Sequence, residues 1–135
     1  MSTVHLAKAA SIQRSVRRAK DEFAAAGDAF DGDLTRQDAA VLNVLRACET
    51  SIDLAQSLVR QRSLGVPSSN RDVFRLLAEA RLIPAELATR LQRMVGFRNV
   101  AVHRYRDLDL AVLASVITRD VDDLITFSEL IAQIA

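Results

Sequence analysis

Four glycines and two prolines in 135 residues leave little punctuation for turns, and this scarcity constrains the fold more than any other feature. A many-stranded β protein needs frequent turns, built largely from Gly, Pro, Asn and Asp. Half of the residues are hydrophobic, so a chain with so few breaks has to bury them along amphipathic helices. The length fits one domain, residues 1–135, large enough to bury a core of its own.

The apolar spacing predicts five helices. The first runs from about Thr3 to Ala26, with Ala9, Ile12, Val16, Ala19 and Phe23 at three- and four-residue intervals. "GDAFDGD", Gly27 to Asp33, ends it, and Thr35 to Asp38 matches an S/T-x-x-D capping pattern for the second. That helix carries Val41, Leu45, Cys48, Ile52, Ala55 and Val59 until Gly65 and Pro67 break it. Ser69 to Asp72 repeats the capping pattern ahead of a short third helix with Val73, Phe74, Leu76 and Leu77. Pro84 is expected in the first turn of the fourth, where its missing amide costs nothing, and Leu87, Leu91, Met94 and Val95 form that helix's stripe. The fifth is expected from about Asp109 to Ile134. Short connections between such helices make an all-α, up-and-down antiparallel bundle the expected architecture.

The single Cys, Cys48, excludes an internal disulfide framework, and two His with one Cys supply no structural zinc site. No apolar run approaches the roughly 18 residues a membrane span requires, and no secretory h-region follows Met1. These features predict a cytoplasmic protein with no membrane partner. The net charge of +1 hides a sorting along the chain: from Leu87 to Arg106 there are five Arg and no acid, and from Asp107 to Glu129 six acids face one Arg. Such a run either makes a cationic patch for phosphate groups or is neutralised by the acidic helix across the bundle.

Chemistry concentrates in "FRNVAVHRYRD", residues 97 to 107, which holds the only Tyr, one of two His and three Arg. On an ideal helix Arg98 and Tyr105, seven apart, point the same way, whereas His103 lies about 140° round from Arg98. Either the helix ends or distorts before His103, or Arg98 and His103 meet counterparts from a second subunit. Asp107 or Asp109 can cap the next helix, which would place His103 near a helix C-terminus, where the dipole favours imidazolium.

"RNVAVHRY" resembles the R-x4-H-x-Y motif of HepT toxins, members of the HEPN (higher eukaryotes and prokaryotes nucleotide-binding) superfamily. "LRACETSIDLAQSLV" and "FRLLAEARLIPAELATRLQRMVGFRNVAVHRY" are similar to the body of that family, so the likeness covers about residues 35 to 115. The first helix matches it only in character. The resemblance implies a homodimeric HEPN bundle that is a metal-independent endoribonuclease toxin of a type II toxin-antitoxin pair, needing no cofactor, with an RNA cleft between protomers. It also implies a partner, an MntA-type nucleotidyltransferase antitoxin that transfers AMP from ATP to Tyr105.

The residue types suit those roles. Arg98 offers a planar, permanently charged fork for a scissile phosphate, His103 exchanges protons near neutral pH, and Asn99 can orient a phosphate oxygen or a catalytic side chain. Simpler readings stand beside these: Arg98 as an ion-paired surface group, His103 as an interface histidine, Tyr105 as an amphipathic anchor, and Gly96 as a point of close helix approach. Arg46 and Asp53, seven apart on the second helix, either pair with each other or support the cleft. The alternative function is a non-catalytic HEPN module, either nucleotide-binding or the helical subunit of a nucleotidyltransferase complex, and a plain dimerisation module is a third.

Overall fold

The computed structural model describes residues 3–134 and contains no strand among them; Met1, Ser2 and Ala135, the ends of the expected domain, lie outside the described residues. Helix α1 spans Thr3–Ala26 and buries Ala9, Ile12, Val16 and Ala19 on the anticipated stripe. It ends at Gly27, whose φ of 53° is readily adopted only without a Cβ. A 3-10 segment, Gly27–Gly32, then folds Phe30 into the core, edge-on to Phe23 with ring centroids 4.8 Å apart.

Helix α2 covers Leu34–Gln61, and its cap differs from the sequence expectation. Asp33, not Thr35, accepts the Arg36 amide (3.0 Å). The reason lies upstream: the turn fixes Asp33 by its own amide to the Phe30 carbonyl (3.2 Å), so the chain is already helical at Leu34 and Thr35 is inside the first turn. Helix α3, Asp72–Glu79, follows the expected capping pattern in part: Arg71, with no side-chain cap bond, precedes its first residue, and one of the two reciprocal Ser69–Asp72 bonds forms. Ser69 Oγ accepts the Asp72 amide (3.3 Å), and the Asp72 carboxylate accepts the Ser68 amide (2.9 Å). Helix α4, Ala85–His103, starts one residue after Pro84, which stays extended and accepts the Ala88 amide through its carbonyl (3.1 Å).

The expected fifth helix is interrupted. Helix α5 is Leu110–Ser115 and α6 is Asp122–Ile134, joined by a π-helical turn, Val116–Asp120. There the Val121 amide reaches the Val116 carbonyl five residues back (2.9 Å), and Lys20 on α1 donates to the Ile117 carbonyl (3.1 Å). An inserted group of this kind stabilises a local break in the four-residue ladder.

Cross-links between helices fix their directions. His5 bonds Ser57 (2.7 Å) and Arg36 bonds Glu22 (2.5 Å), so α1 and α2 are antiparallel. Gln13 with Ser128 (3.1 Å) and Lys20 with Asp122 (3.2 Å) run α6 antiparallel along the other flank of α1. The core between them includes Ile12, Leu54, Leu58, Leu91, Leu113, Leu124 and Ile131, all at or below 1% exposure, with Phe74 of α3 edge-on to Phe127 of α6 (5.5 Å). The all-α antiparallel bundle is as the periodicity predicts. Among the described residues no helix is long and apolar enough to cross a membrane.

Candidate active site

Helices α2 and α4 lie side by side, and the seam between them holds Arg98. Arg98, half-buried on α4, donates through Nε to the Glu49 carboxylate of α2 and through Nη1 to Asn99 Oδ1 (2.9 Å). A guanidinium has five N–H donors, so three remain to bind an anion while Glu49 holds the plane of the group. Asn99, accepting through its oxygen, keeps its NH2 as a donor.

The helix continues through His103 and stops at Arg104, whose amide reaches the Val100 carbonyl (2.7 Å) while its φ of −134° leaves helical geometry. The helix does not end before His103, so the imidazole stays about 140° round from Arg98 and is exposed. Of the two alternatives for bringing Arg98 and His103 together, refolding within one chain is the one this geometry removes. Asp109, not Asp107, caps the next helix, accepting the amides of Ala111 (2.8 Å) and Val112 (3.3 Å).

Tyr105 lies beyond the helix end, in a 3-10 turn spanning Tyr105–Asp107. The continuous helix assumed for placing it beside Arg98 ends two residues earlier, yet both side chains still reach toward α2. Its hydroxyl donates to the Asp38 carboxylate on α2. Partial burial, then the hydrogen bond and the charge of Asp38, push the phenol up to about 12, so the neutral hydroxyl is strongly favoured. Alongside opens a cavity of about 360 Å³ walled by Leu34, Val41, Leu110 and Leu113 with Arg106 at its edge.

Arg46 and Asp53 do not pair with each other; both are exposed on the outward face of α2, and among the described residues neither forms an ion pair. Glu49 lies between them, three and four residues away, so the spacing points to the right face of α2 without singling out the residue that grips Arg98. In sequence Asp38 reads only as a cap. The two acids are 49 and 67 residues from their partners, and only the register of α2 on α4 reveals them. The sorted charges resolve both ways: Arg90 is neutralised by Asp123 (2.9 Å), while Arg93, Arg104 and Arg106 are exposed without an ion pair among the described residues. Cys48, beside Glu49 in sequence, is buried, and desolvation pushes its thiol up to about 12, which makes it a core group and no nucleophile. No group of three or more His, Cys, Asp or Glu is placed to hold a metal ion among the described residues.

Residues 12–131 match the family described as "Ribonuclease HepT-like", so the match takes in most of α1, which the sequence likeness covered only in character. The mRNA nuclease HepT of Shewanella oneidensis is 39% identical over 131 residues, spanning 97% of this chain and 98% of that protein. A tri-AMPylated HEPN toxin of the same organism, solved in complex with an MNT antitoxin, has a TM-score of 0.92 at 38% identity, covering 98% of this chain and 99% of the other. A cytosolic protein of Bacillus subtilis has a TM-score of 0.72 at 15% identity, covering 93% and 88%, which shows the fold alone.

Proposed function

Since this chain belongs to the HepT-like ribonuclease family, we propose that it is the RNA-cleaving toxin of a toxin-antitoxin pair and cuts by attack of a ribose 2′-OH, with no metal ion. The observation that carries this reading is the held Arg98: Glu49 and Asn99 fix one edge of its guanidinium and leave three donors for a phosphate. The 2′ oxygen bonds to phosphorus and the bond to the 5′ oxygen breaks, leaving a 2′,3′-cyclic phosphate. Arg98 stabilises the added negative charge, and His103 exchanges a proton at one of the two oxygens.

Because the imidazole and guanidinium of one chain face different ways, the cleft needs a homodimer in which Arg98 works beside His103 of the partner subunit. Leu42, Val100, Val102 and Val112, all about half-exposed around the seam, supply apolar surface for that contact. Arg46 and Asp53, on the same outward face of α2, would line it.

Tyr105 is the proposed acceptor of AMP from a nucleotidyltransferase antitoxin, by analogy with the tri-AMPylated relative. Its Oη attacks the α-phosphorus of ATP, pyrophosphate leaves and the phenolic proton passes to a base of the antitoxin. The added phosphodiester and adenosine then block the groove.

The test is RNA cleavage by Arg98→Ala and His103→Ala, each expected to lose at least about a hundredfold in rate with unchanged circular dichroism, while the parent cuts in EDTA and yields cyclic-phosphate ends. Parental rates in either variant refute the assignment of residues, and a strict requirement for magnesium refutes the mechanism.

A further inference from the structure

We propose that Arg71, which precedes α3, is a second RNA-phosphate-binding residue, seated in a notch on α4 at Gly96. The inference rests on the reading of the chain as an RNA-cleaving toxin whose cleft joins the His103 face of one subunit to Arg98 of the other, and extends that cleft beyond the motif.

Two observations set the side chain there. The Arg71 carbonyl accepts from Gln92 Nε2 (3.1 Å), which ties the loop to α4. The Arg71 guanidinium then lies across Gly96, where a Cβ would stand only 2.7 Å from Nη2. A glycine inside a helix weakens it, and here it has a specific consequence: it lets a cationic group lie flat against the helix.

That place is on the face of α4 that carries Asn99 and His103, about 160° round from Arg98. Gln92, Gly96, Asn99 and His103 follow one another at intervals of four, three and four residues, which keeps them within an arc of about 60° on the helix. Along the axis, Gly96 is about 4.5 Å from Asn99 and about 10.5 Å from His103, a distance suited to a neighbouring phosphate on the same strand. Of the other cations whose side chains contact a second helix, Lys20, Arg36, Arg90 and Arg98 have carboxylate partners, and Arg62 bonds only the Ile134 carbonyl (3.3 Å). Arg71 is exposed and has no carboxylate partner among the described residues. Its charge lies against α4 and is left uncompensated, as a phosphate contact needs.

The phosphate concerned flanks the scissile one. Arg71 touches no reacting atom, so it acts on binding and on strand register, equally for every base sequence.

The experiment measures single-stranded RNA oligonucleotides binding to the full-length chain carrying His103→Ala, which removes cleavage, with Arg71→Gln or Gly96→Ala added. Arg71→Gln is expected to weaken binding roughly tenfold, to a similar degree across oligonucleotide sequences, and to flatten the slope of log affinity against log salt by about 0.7 for each phosphate no longer neutralised. Gly96→Ala keeps the charge and improves the helix, yet its methyl displaces the guanidinium, so affinity falls in the same direction while thermal stability does not. Parental affinity and salt slope in either variant overturn the inference and leave the ribonuclease reading standing. A parent chain that neither binds nor cuts RNA removes both.

Discussion

Two carboxylates on one helix hold two side chains of the motif, Arg98 and Tyr105, and they do opposite things. Glu49 and Asp38 are eleven residues apart on α2, about 16 Å along its axis and within about 20° in direction, so both face α4. Glu49 meets a group that is always charged: the contact costs Arg98 nothing in protonation and fixes its orientation. Asp38 meets a group that is neutral at physiological pH, and the same negative charge that anchors Tyr105 also opposes its ionisation. An acid beside a permanent cation prepares it for work, whereas an acid beside a phenol keeps it quiet. The proposed adenylylation of Tyr105 would have to break the Asp38 contact, since an adenylylated oxygen has no hydrogen to donate.

The comparison breaks most visibly at Glu49. Glu49→Ala frees Arg98 to leave its seat, and since a misplacement of about 1 Å costs on the order of a hundredfold, RNA cleavage should fall by roughly that factor. The fall should be mainly in kcat, with partial rescue in Glu49→Gln, whose amide oxygen still accepts from Nε. Steady-state kinetics decides it: a parental kcat in Glu49→Ala means the seat is irrelevant.

Asp38→Asn should give a smaller, spectroscopic effect. Tyr105 is the only tyrosine and there is no tryptophan, so phenolate absorbance reads this one hydroxyl. Its midpoint should move from about 12 back part of the way toward 10.0, the remainder being held by burial. The sign for stability follows. A pKa raised on folding contributes stability that is fully present below pH about 10 and declines as pH rises toward 12. Chemical denaturation across that window should show a shallower decline in Asp38→Asn, and an identical decline would deny the link.

The smallest effect is expected at an ion pair outside the seam. Arg90→Gln removes the contact with Asp123, a partly exposed pair, and should cost about 1 kcal/mol with RNA cleavage at the parental rate. A large loss of cleavage would mean that the groove extends to this face.

The sequence discloses what repeats locally and hides what depends on register. The stripes of α1 and α2 and the breaks at Gly27 and Gly65 are legible because each is a statement about neighbours in the chain. The π turn at Val116–Asp120 is not, since an apolar run with mixed three- and four-residue steps looks the same with or without one extra residue. Arg98, His103 and Tyr105 stand out by residue type crowded into eight positions. Glu49 and Asp38 look like ordinary surface acids until α2 is laid along α4. The end of α4 is hidden for a related reason: ideal-helix geometry carries Tyr105 past a terminus that only the Arg104 backbone marks.

The lone thiol gives the molecule a clock. Cys48 sits next to Glu49 in the chain but on the core side of α2, 2% exposed, so an alkylating reagent reaches it only when this stretch of helix lifts from its neighbours. The rate at which native protein takes up a single label therefore counts the openings of the helix that seats Arg98. A ligand that clasps α2 and α4 together would slow that count, and one that pries them apart would speed it.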